Sequence, residues 1–134
     1  MMYPVDHIGI AVADLDSAVK PYQSEFGYSL DLREEVPSQK VEVAFLKAPN
    51  MLIEFIAATS PDSAVSKFLE KRGPGLHHIC YRVTDIRAEL GRFASLGYTL
   101  IDKEPRPGAH GSLIAFIHPR EMQGVLTELC QREL

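Results

Sequence analysis

Residues 5–19, VDHIGIAVADLDSAV, begin with apolar side chains at every second position and then change to a spacing of three and four. That change is what a strand leading into an amphipathic helix produces. LHHICYRVTDIRAEL (76–90) repeats the pattern 71 residues later, so that Val12 meets Val83, Asp14 meets Asp85 and Leu15 meets Ile86. Further on, FGYSL (26–30) meets LGYTL (96–100), and VAFLK (43–47) meets IAFIH (114–118). LIEF (52–55) meets LTEL (126–129) once the second hairpin takes three extra residues. Matches that follow one another in order along nearly the whole chain define an internal repeat.

Each copy predicts a strand, a helix and three more strands. Asp14 and Asp85 stand where an N-cap belongs, ahead of helices over LDSAVKPYQSEF (15–26) and IRAELGRFASL (86–96). Pro21 predicts a bend or a late start in the first of these helices. GYSLDLREE (27–35) and GYTLIDKEP (97–105) each open a strand after a glycine stop. VEVAFLK with MLIEFIA, and SLIAFIHP with VLTELCQ, read as hairpins. The expected fold is α+β: one domain, residues 1–134, of two tandem βαβββ modules forming a cupped mixed sheet. Module 1 covers about 4–58 and module 2 about 74–131, joined by a linker (59–75) with a short central helix.

The strand pattern also sorts side chains by face. His77 and His78 are adjacent, so a strand sends them to opposite faces. The repeat matches His78, not His77, to His7. His7, Gly9 and Ala11 in the first copy, and His78, Cys80 and Arg82 in the second, then face the cup. The same register pairs Glu54 with Glu128, each in a strand whose neighbours are apolar, where a carboxylate is costly unless paired, protonated or metal-bound. His7, Glu54, His78 and Glu128 therefore form a candidate site for a divalent metal, and imidazole with carboxylate suits zinc, cobalt, nickel, manganese or iron(II). Cys80 and Cys130 are expected to be small apolar fillers of the cup, and His110 and His118 turn or rim residues.

Composition narrows the class further. A net charge of −4 over 134 residues, with a pI near 5.7, argues against a nucleic-acid partner. Two cysteines, Cys80 and Cys130, outside any CxxC pair argue against a disulfide framework or a structural zinc site. The apolar runs are too short for a membrane span, and the N-terminus lacks the basic region of a signal peptide, so a cytoplasmic protein is expected. Open sheet edges predict a homodimer.

DHIGIAV, GPGLHHICYRV, GAHG followed by IAF and HP, and GVLTELCQ together resemble the methylmalonyl-CoA epimerase family of the vicinal oxygen chelate superfamily, from Val5 to Gln131. By position, the family's metal ligands fall on His7, Glu54, His78 and Glu128, the four that the repeat selects. The resemblance implies an isomerase that removes the α-proton of methylmalonyl-CoA and interconverts its 2R and 2S forms, with one divalent metal (Co, Zn, Mn or Ni) per chain. Glu128 is then the candidate catalytic residue, and the partner is an acyl-CoA thioester. Lys47, Lys71, Arg72, Arg106 and Arg120 are cations available to its phosphates. Some members of the family carry a catalytic glutamate where this chain has Val43; Glu42 is adjacent but belongs to the opposite face of the strand. Other readings of the same features are a glyoxalase-type isomerase or lyase, and a binding protein of resistance type that sequesters its ligand.

Overall fold

The computed structural model describes residues 2–132. These residues cluster into two compact units, one of His7–His77 and one that joins the residues up to Asp6 with those from His78 onward.

In the first unit, β1 (Val5–Ala11), α1 (Leu15–Ser24), β2 (Ser29–Val36), β3 (Val41–Lys47), β4 (Leu52–Ala58) and α2 (Ala64–Arg72) follow in sequence. The strands order as β2-β3-β4-β1, with β2, β3 and β4 antiparallel and β4 parallel to β1. One sheet face, made of Ala44, Leu46, Ile53, Phe55 and Ala57 with Ile8 and Ile10, packs under Leu15 and Val19 of α1. The other face carries His7, Gly9, Val41, Val43, Phe45 and Glu54, by strand alternation. α1 starts where the sequence predicts, because the Asp14 carboxylate accepts the Ser17 N–H at 3.0 Å. Pro21 does not delay that start: it sits inside the helix, and its carbonyl accepts the Glu25 N–H at 2.8 Å.

The second unit contains most of β5 (Gly75–Arg82), α3 (Ile86–Ser95), β6 (Arg106–Pro107), β7 (Leu113–Ile117) and β8 (Thr127–Gln131). Here the order is β5-β8-β7-β6, with β5 parallel to β8. Asp85 caps α3 by accepting the Ala88 N–H at 3.1 Å, and Ile86 and Leu90 pack on Val83, Ala115, Ile117 and Leu129. Gly27 and Gly97 end the two matched helices with φ of +73° and +91°, a backbone that a side chain would strain.

The repeat fails at one element. The strand expected over 97–105 reduces to a single bridge from Leu100 to Ile117 and the two-residue β6. Pro105 and Pro107 remove ladder donors, and Asp102 turns its own carboxylate to the Phe116 N–H at 2.9 Å, taking a bond that a paired strand would have made.

Asp6 ties the N-terminal segment into the second unit. Its fully buried carboxylate accepts Arg82 Nε at 3.1 Å and Arg132 Nε and Nη2 at 2.7 Å each. This contact holds the Arg132 guanidinium more firmly protonated, against its partial burial. Asp6→Asn leaves these donors half-satisfied and is expected to lower unfolding stability by about 1–3 kcal/mol, read as a shift in the urea midpoint.

Candidate metal and acid–base site

In the first unit the repeat puts a histidine and a glutamate on neighbouring parallel strands. Gly9 of β1 lies directly across from Glu54 of β4, so His7 is diagonal to Glu54. His7 Nε2 and Glu54 Oε1 come within 3.4 Å, and the side chains are 6% and 7% exposed.

The second unit repeats this arrangement. Cys80 of β5 lies across from Glu128 of β8, which leaves His78 diagonal to it. His78 Nε2 and Glu128 Oε1 are 3.1 Å apart, with 2% and 5% of the side chains exposed. Each glutamate also has a phenylalanine as its antiparallel neighbour: Phe45 opposite Glu54, and Phe116 opposite Glu128. Each phenylalanine meets its histidine edge-on, with centroids 5.1 Å apart for His7 and Phe45 and 5.9 Å for His78 and Phe116. The two phenylalanines belong to the VAFLK and IAFIH match, but sequence reasoning assigned them no part in the site.

The donors fit a borderline divalent cation. Imidazole nitrogen and carboxylate oxygen converge in each pair, buried against an aromatic wall that keeps bulk water from the ligands. Burial, then its contact with Cys130 and the charge of Glu128, push the Cys80 thiol well above the usual range. Cys80 and Cys130 pack with Ile114 and Phe116, as fillers.

The other residues singled out in the sequence fall elsewhere. His77 turns away from His78 and packs edge-on against Phe68 of α2, with centroids 4.9 Å apart. Glu42 points to the α1 side of its sheet: its carboxylate accepts Arg33 Nε at 3.0 Å, and Arg33 also pairs with Asp16 at 2.5 Å. Val43 is on the His7 and Glu54 face and is buried. His118 caps a turn, its Nδ1 accepting the Arg120 N–H at 3.2 Å, and His110 occupies a left-handed turn position with φ +60°. Among the cations, Lys47 pairs with Asp31 at 3.6 Å, Arg72 lies over Phe68, Arg106 lies over Phe116, and Arg120 donates to Thr99. Lys71 closes α2.

Fold and site define the class. Residues 6–116 match the Glyoxalase/Bleomycin resistance protein/Dioxygenase superfamily, and the chain belongs to it. Within that class it is 44% identical to the uncharacterized protein YqjC of Bacillus subtilis, over 97% of this chain and 93% of that protein. It is 37% identical to the ethylmalonyl-CoA/methylmalonyl-CoA epimerase of Cereibacter sphaeroides, over 98% of this chain and 99% of the relative. The crystal structure of methylmalonyl-CoA epimerase from Mycobacterium tuberculosis superposes with a TM-score of 0.93 at 38% identity, covering 98% of this chain and 89% of that one.

The two adjacent histidines separate by experiment. His78→Ala is expected to lower divalent metal affinity at least tenfold, whereas His77→Ala loses a ring contact and keeps its metal. Elemental analysis after dialysis distinguishes them; metal lost from His77→Ala and kept by His78→Ala would reverse the assignment.

Proposed function

We propose that this protein is a metal-dependent epimerase that interconverts the 2R and 2S forms of methylmalonyl-CoA. The observation that carries the reading is the pair of buried His–Glu contacts in matching register, in a chain whose full-length relatives include epimerases of this substrate. His7, Glu54, His78 and Glu128 hold one divalent cation within a single vicinal oxygen chelate domain of two modules, about 4–58 and 74–131. Cobalt, zinc, manganese and nickel all suit this donor set. The protein is a cytoplasmic homodimer on this reading, and light scattering at twice the chain mass is the expected result. Among the described residues no helix is long and apolar enough to cross a membrane.

The substrate is a malonyl-type thioester whose α-carbon carries one acidic C–H between two carbonyl groups. When bound, the cation supplies positive charge that stabilises negative charge developing on the carbonyl oxygens. Phe45 and Val43 in the first unit, and Phe116 and Ile114 in the second, are buried on the faces that carry the two His–Glu pairs, where exclusion of water strengthens electrostatic contacts. Glu128 moves a proton at its carboxylate oxygen. Inversion requires removal on one side of the carbon and return on the other, so Glu128 alone does not complete the reaction.

Proton NMR of racemic methylmalonyl-CoA in deuterated buffer tests the chemistry: metal-loaded protein should exchange the α-proton rapidly. Glu128→Gln is expected to slow interconversion of the epimers about 10²–10⁴-fold even at saturating metal, the usual scale for a lost general base. Recovery at high metal would reduce Glu128 to a ligand. Glu42→Gln, held by Arg33 on the α1 side, should change the rate less than about threefold.

A further inference from the structure

In the second unit Cys80 of β5 lies across from Glu128 of β8, and Arg82 across from Cys130. Alternate residues share a face, so the His78–Glu128 contact is followed along the strands by Cys80 beside Cys130. Arg82 and Arg132, one residue beyond β8, come next and meet on the Asp6 carboxylate. This last pair is four residues, or roughly 13 Å, along the strands from the His78–Glu128 contact. Charge does not balance there. Arg132 by itself spans both oxygens of Asp6, with Nε on one and Nη2 on the other, at 2.7 Å each. Arg82 adds a second guanidinium, its Nε 3.1 Å from the oxygen that Arg132 Nε already holds. Like charges that close repel, and sealing one buried carboxylate requires only one of them. Asp6 is fully buried, whereas the Arg82 side chain is 49% exposed, so the excess positive charge lies on the solvent side of the cluster. Among the described residues neither arginine has a second ion pair, and Nη1 and Nη2 of Arg82 and Nη1 of Arg132 meet no acceptor.

We propose that Arg82 and Arg132 form an anion site that takes a phosphate group, with Asp6 holding the two guanidiniums in place. A guanidinium presents its N–H groups as a planar fork that matches phosphate oxygens, and it stays charged at every working pH. Asp6 occupies the inner nitrogens of both side chains and leaves the terminal ones for a tetrahedral oxyanion, whose several oxygens accept from more than one nitrogen. The partly buried position of Arg132 raises the strength of such a contact over that of a fully solvated pair, and the Asp6 contact holds its guanidinium more firmly protonated. The phosphate is either a free ion or the phosphate end of a CoA ester, and the recognising chemistry is the same for both. The site lies within the second unit and stands independently of the epimerase reading.

Isothermal titration calorimetry of the full chain with inorganic phosphate, CoA and pantetheine tests the site. Arg82→Gln, in which Arg132 still spans Asp6, should lower the affinity for phosphate or CoA at least tenfold. Arg87→Gln removes the same charge from an exposed pair with Glu104 in the same unit, and should change it less than about threefold. Arg82→Lys keeps the charge and loses the fork, and should weaken binding at least threefold; it decides the matter if Arg82→Gln shifts the urea midpoint. Weakened CoA binding with pantetheine unaffected assigns the phosphate to a CoA ester. Weakened binding of inorganic phosphate with CoA unaffected assigns it to the free ion. The proposal is overturned if wild type binds neither phosphate nor CoA, if Arg82→Gln and Arg87→Gln lose affinity equally, or if Arg82→Lys binds as wild type does. Binding is read without turnover, so its failure is distinct from any failure of the epimerase reading.

Discussion

The constraint on which the rest depends is a carboxylate buried beside an imidazole, met once in each half of the chain. Removing a glutamate side chain from water costs several kcal/mol unless a partner compensates. Glu54 and Glu128 are both more than nine-tenths buried. Each is placed by the same device: a parallel strand pair that sets the histidine diagonal to the glutamate, with a small residue directly across. The position directly across is Gly9 in the first pair and Cys80 in the second.

The helices and the outer strands serve that placement. α1 and α3 cover the reverse faces with Leu15, Val19, Ile86 and Leu90, and so commit each central strand to one orientation. A slip of one residue would exchange His78 for His77 and bury the wrong imidazole. Phe68 of α2 receives His77, which gives the outward histidine its own packing and makes the slipped register costly twice over.

The halves are related but not equal. Val43 and Ile114 match in the repeat, yet the strand beyond each differs: β2 is eight residues long, while β6 has two. A full outer strand brings a row of side chains, Glu34 among them, across from β3. In the second half prolines and the Asp102 carboxylate end that ladder early, and the cation Arg106 stands at the position that pairs with Ile114.

The repeat by itself determined the α+β plan, the helix starts at Asp14 and Asp85, the two hairpins and the four buried ligand candidates. These follow from local causes: side-chain period, a capping carboxylate, and a register shared by two copies. The broken strand near residue 102 was only partly legible: Pro105 and Pro107 stand in the sequence, but the bond from the Asp102 carboxylate to a backbone amide fourteen residues away does not. Phe45 and Phe116 read as ordinary strand hydrophobics until cross-strand pairing set each against a glutamate. Tertiary structure also decided the face of Glu34. Alternation along VEVAFLK already sends Glu42 to the face opposite Val43, where Arg33 meets it, but Glu34, set between Arg33 and Glu35, is assigned to the side of His7 and Glu54 only by the pairing of β2 with β3.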